Sequence, residues 1–121
     1  MALTRNFKET VQERAARDPE FRKALLIESI ECMLTGDLAT GKSILRDYIN
    51  ATMGFEELGT LLNKSPKSVM RMFGPEGNPT TSNFFSVLNT LREKEGVNFE
   101  VHTVRNASDT ALQNEHVYLD H

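Results

Sequence analysis

The four residues Asn63-Lys64-Ser65-Pro66 leave the chain little choice. Asparagine tolerates the left-handed backbone that closes a helix. Serine followed by proline opens one, because the hydroxyl caps it and the ring fixes the first helical dihedral where no N–H is needed. Short apolar-periodic segments flank this joint. Phe55, Leu58, Leu61 and Leu62 recur at helical spacing before it, with Gly59 small where another helix can approach, and Val69, Met72 and Phe73 recur after it. The pattern predicts two short helices joined by a sharp turn, the second turning Lys67, Ser68 and Arg71 outward.

The same punctuation divides the rest of the chain. Phe7, Val11 and Ala15 predict a helix from about Arg5 to Arg17, and Asp18-Pro19 is a cap-plus-proline start with Glu20 at the positive end of the dipole. Phe21, Leu25, Leu26, Ile30, Cys32, Met33 and Leu34 then give a wide apolar face ending at Gly36. Asp37 caps a helix with inward positions Leu38, Gly41, Leu45, Tyr48, Ile49 and Thr52, reaching to Gly54. Gly74 to Pro79 is a loop. Thr80 or Thr81 caps a last helix to about Glu95, buried through Phe84, Val87, Leu88 and Leu91 with Phe85 beside them, and Gly96 ends it. Val97, Phe99 and Val101 alternate with Asn98, Glu100 and His102, the period of one half-buried strand. A lone strand needs a partner, and its copy in a second subunit is an economical one.

The expected architecture is mostly α: one domain over 1–105, with an N-terminal helical extension at 5–35, a helix-turn-helix core at 37–95 and a strand at 97–104. A flexible tail is expected over 106–121, where apolar residues are sparse. A length of 121 residues suits one core. No apolar run is long enough for a membrane span, the polar start is not a signal peptide, and the single cysteine, Cys32, suits a reducing, cytoplasmic setting.

The net charge of −3 argues superficially against a nucleic-acid partner, but its distribution matters more. Residues 106–121 hold Asp109, Glu115 and Asp120 and no Lys or Arg, so residues 1–105 carry 14 basic and 14 acidic side chains. Within them Asn63 to Gly74 holds Lys64, Lys67 and Arg71 and no acid. On a second helix of this kind, Ser65 and the first-turn N–H groups can hold phosphate. Lys64 and Lys67 can neutralise backbone charge, Arg71 can donate a bidentate pair to guanine, and Met70 can touch a thymine methyl. A structural hairpin with a solvated basic face has the same spacing, so periodicity leaves both open.

Gly36 to Ser43, GDLATGKS, fits the phosphate-loop pattern, yet the residues before it form helix, not strand. The expectation is a helix stop at Gly36, a cap at Asp37, a packed or tolerated Gly41, and solvated Lys42 and Ser43. Catalysis, cofactor and metal find no constellation: His102, His116 and His121 lack ligand spacing, Glu56-Glu57 and Glu93 with Glu95 read as exposed helix-end charges, and Cys32 reads as a packed thiol.

The stretch from Gly54 to Leu91, above all SVMRMFGPEGNPTTSNFF, resembles the XRE (Cro and lambda-repressor-like) helix-turn-helix family, and within it HigA-like antitoxins of addiction modules. The resemblance covers about Ile44 to Val104. It implies a lambda-repressor-like bundle with its recognition helix over Ser65 to Phe73, and it puts the DNA-contacting positions on Ser65, Pro66, Lys67, Ser68 and Arg71. Two residues depart from the pattern: Lys64 stands where the turn usually carries an apolar residue, and Pro66 puts a side chain without hydrogen-bonding groups at a contact position. The resemblance further implies a homodimer on a palindromic double-stranded operator, autorepression, and a RelE- or HigB-like toxin as partner. A module that mainly sequesters a toxin without specific DNA binding is the alternative. Ile27 is one apolar residue on a charged face that such a partner could use, although packing against the first helix also accounts for it.

Overall fold

The computed structural model describes residues 2–107, with side chains from Thr10 onward. Six helices follow in order: α1 (Ala2–Arg17), α2 (Pro19–Leu34), α3 (Leu38–Ala51), α4 (Gly54–Leu62), α5 (Pro66–Met72) and α6 (Thr81–Glu95). No helix among the described residues is long and apolar enough to cross a membrane.

Local chemistry sets most of the boundaries. Asp18 accepts from the N–H groups of Glu20 and Phe21 at 3.1 and 3.2 Å, with Pro19 opening α2. Those hydrogen bonds, Phe21 first, hold the Asp18 carboxyl below the usual aspartate value. Asp37 accepts from Thr40 and Thr80 from Asn83 in the same way. At the other ends, Gly36 and Gly96 take positive φ, the region a side chain resists. α4 lacks a side-chain cap, and Gly54 enters it at φ +77°. The preceding helix accordingly stops at Ala51, three residues short of the expected end at Gly54.

One core joins the helices: Leu26, Leu45, Tyr48, Ile49, Phe55, Leu58, Val69, Met72, Phe73, Val87 and Leu91 are buried together. Each buried Leu, Ile, Val or Phe adds about 1.5–3 kcal/mol of transfer free energy. α2 and α3 pack most extensively, and Gly41 makes their approach possible. A Cβ there would lie 2.8 Å from the Ser29 carbonyl oxygen and 2.3 Å from Met33 Cγ. Ser29 itself is fully buried and donates to the Leu26 carbonyl at 2.8 Å.

Four expectations need correction. Residues 97–104 form no strand: nothing else in the described chain offers an edge, so alternation alone produces no ladder. Glu95 is not an exposed helix-end charge, since its side chain is 8% exposed and receives hydrogen bonds from Arg22 and Tyr48. The apolar faces were read too broadly, because Leu34, Leu38, Leu61, Thr52 and Phe85 are exposed where no helix covers them. Ile27, expected to be packed in the core against α1, is likewise 42% exposed. Of the tail, Asn106 and Ala107 are exposed and 108–121 lie outside the described residues, as do His116 and His121.

Candidate nucleic-acid interface

The turn between α4 and α5 is built by contact as well as by dihedral preference. Asn63 sits at φ 59°, ψ 44°, and its N–H and that of Lys64 donate to the carbonyls of Thr60 and Gly59. This folds Lys64 back onto α4. A Cβ on Gly59 would stand 2.6 Å from the Lys64 carbonyl oxygen and 3.3 Å from the Pro66 nitrogen, so the hairpin needs a glycine at 59. Lys64 is half-buried, while Leu58 and Val69 on the flanking helices are fully buried although the turn carries no apolar residue at 64.

α5 is then pinned at both ends. Ser65 accepts from the Ser68 N–H at 3.1 Å, and Pro66 follows at the first position. At the far end Arg46 donates to the Phe73 carbonyl at 2.8 Å. Lys42 donates to the carbonyls of Gly74 at 3.3 Å and Gly77 at 2.9 Å. Two cations from one face of α3 thus satisfy carbonyls where the helix dipole of α5 is negative. Gly77 completes the closure, because a Cβ there would lie 2.1 Å from the Arg71 carbonyl oxygen. Lys42 is therefore not the solvated residue its place in GDLATGKS suggested. Sequence reading missed both cations as functional supports; their spacing of four on one helix face was the available signal, but nothing local marks which loop they reach.

On this held helix the expected contact residues come together. Ser65, Lys67 and Arg71 are exposed, Pro66 and Ser68 half-exposed, and Met70 is 49% exposed beside them. No carboxylate lies between Glu57 and Glu76 in sequence, and among the described residues Lys64, Lys67 and Arg71 make no ion pair. Glu57 is turned instead to Lys94 at 3.7 Å. One expectation contracts: Pro66 has no N–H and that of Ser68 is taken by Ser65, so the Lys67 N–H is the first-turn donor left for phosphate. The cationic groups this surface presents are the Lys64, Lys67 and Arg71 side chains.

Elsewhere, burial pushes the Cys32 thiol up, with Glu28, Asp37 and Glu31 adding to it, which disfavours the nucleophilic thiolate. Among the described residues no three His, Cys, Asp or Glu side chains group as metal ligands. GDLATGKS lies across a helix-to-helix joint, with Asp37 capping α3. No family model, curated protein or solved structure matches the chain.

Proposed function

We propose that this chain is a sequence-specific DNA-binding transcriptional regulator of the XRE type, a homodimeric antitoxin that represses its own operon and holds a small RelE- or HigB-like toxin. The observation that carries the DNA part is the acid-free basic face of α5, exposed on a helix fixed at both ends. In this reading Lys64 and Lys67 neutralise phosphate, Ser65 and Ser68 allow close approach, and Arg71 reads a base edge. Two copies related by a two-fold axis set their recognition helices about 34 Å apart, in successive major grooves of a palindrome.

Fluorescence anisotropy with the DNA upstream of the protein's own gene, against a scrambled duplex at two salt concentrations, tests the reading. Preference for the upstream DNA that persists at the higher salt is the expected result. Equal, salt-labile binding to both would reduce the basic face to a solvated surface and put a toxin-sequestering module first.

A further inference from the structure

Beyond α6 the chain runs along an apolar groove lined by Met33, Leu34, Phe84, Phe85 and Leu88, to which it adds Phe99 and Val101. Glu100 and His102 lie together on its other side, with His102 Nε2 3.3 Å from Glu100 Oε1 and both side chains about 80% exposed. The alternation read from the sequence is thus present in space, one face apolar and one charged. The Val97 N–H donates to the Arg92 carbonyl at 3.2 Å. Arg92 takes the Val97 carbonyl, and from Asn98 to Val104 no backbone hydrogen bond is made among the described residues. At the rim of the groove Leu34, Phe85 and Val101 are 74, 57 and 87% exposed.

We propose that residues 97–105 pair antiparallel with the same segment of a second copy, about a two-fold axis at Val101. The segment is its own complement in that register. Phe99 of each copy stands beside Thr103 of the other, Val101 meets Val101 on the apolar side, and Glu100 of each copy faces His102 of the other on the outer side. Two ladder edges are satisfied at once, two carboxylate–imidazole pairs form, and the apolar rims of the two grooves come together under one ribbon. Charge complementarity singles out this occupant: an unrelated strand would need acid and imidazole at the same two positions. The inference specifies the interface of the proposed homodimer and rests on that part of the proposed function alone. Its test uses no DNA, so its failure and that of the DNA reading are distinguishable.

The full chain with Cys32→Ala is compared with and without Val101→Cys or Val104→Cys, under mild oxidation and by analytical ultracentrifugation, with helix content checked by circular dichroism. In the proposed register position 101 meets itself within disulfide range, whereas the two copies of position 104 are about 20 Å apart along the strands. A dimer that crosslinks through 101 and not 104 is expected. A monomer at tens of micromolar, or linkage through 104 in place of 101, overturns the proposal. Charge provides the second arm. His102→Glu, which sets two carboxylates against each other, weakens the dimer about tenfold, and adding Glu100→Lys restores it. A dimer indifferent to both changes would place the interface elsewhere.

Discussion

Removal of Arg22 would strike the one ionic network inside the described fold. Its Nε donates to both oxygens of Glu95, at 2.9 and 3.1 Å, and its Nη1 to the Ala15 carbonyl at 2.8 Å, while the Tyr48 hydroxyl donates to the same carboxylate. The network joins α1, α2, α3 and α6. In Arg22→Met the methionine replaces much of the aliphatic stem, but a carboxylate only 8% exposed keeps Tyr48 as its one side-chain donor among the described residues, and the last turn of α1 loses its cap. Breaking a buried pair costs about 3–5 kcal/mol. Arg22 is itself 21% exposed, so water can reach the site and the lower end applies, about 3 kcal/mol. That corresponds to roughly 12 °C in Tm for a domain of this size. Urea titration with an unchanged slope is the assay. If uncompensated charge is the cause, then Arg22→Met combined with Glu95→Leu and Tyr48→Phe recovers most of the loss, to within about 1–2 kcal/mol of the starting protein. A cost below about 1 kcal/mol for the single change, or no recovery in the triple, would refute the reasoning and assign the effect to packing.

Tyr48 gives a pH dependence of definite sign. Burial first, then its hydrogen bond to Glu95 and that group's charge, raise its pKa in the folded protein, against an opposing contribution from Arg22. The protonated form is thus favoured by folding, so the stabilisation is complete below the ordinary tyrosine value of about 10 and falls as the pH rises above it. Urea midpoints measured from pH 8 to 11 should decline more steeply for the native chain than for Tyr48→Phe. Gly59→Ala should cost about 1–2 kcal/mol despite the better helix propensity of alanine, because its methyl meets backbone at Lys64; an unchanged midpoint would show that the turn has room to give. On DNA, Arg71→Ala should cost about 1–3 kcal/mol on the preferred site and little on random duplex at matched salt, by anisotropy. Equal loss on both would make Arg71 a phosphate contact.

What could be read from the sequence was what depends on neighbours in the chain. Asp18-Pro19, Asn63, Ser65-Pro66 and Gly96 mark helix ends because a cap or a left-handed residue acts within about one turn. The outward residues of α5 were legible for the same reason: a helix between two known ends has only one face left when Val69, Met72 and Phe73 are buried. Long-range chemistry was not legible. Arg22 and Glu95 are 73 residues apart, and nothing around either shows that the other will neutralise it. The apolar stripes of α2 and α6 likewise fix a direction of burial but not how far the neighbouring helices extend, so Leu34 and Phe85 remain on an open groove. The alternation at 97–104 reports two faces and carries no information about the edge.

GDLATGKS illustrates how the same letters acquire another use. A phosphate loop needs glycines that bring backbone N–H groups to an anion and a lysine free to reach it. Here Gly36 reverses the chain after α2, Asp37 caps α3, and Gly41 lets α3 lie against the Ser29 carbonyl. Lys42, at the next position, points away from that contact and spends its charge on the carbonyls of Gly74 and Gly77, while Arg46 one turn later takes Phe73. The close α2–α3 packing and the hold on the end of α5 therefore depend on adjacent residues of one helix. A shift of α3 along α2 would move both anchors together, and with them the direction in which Arg71 faces. The far end of the exposed basic face is in this way tied to the packing of α3 on α2, which contribute no side chain to that face.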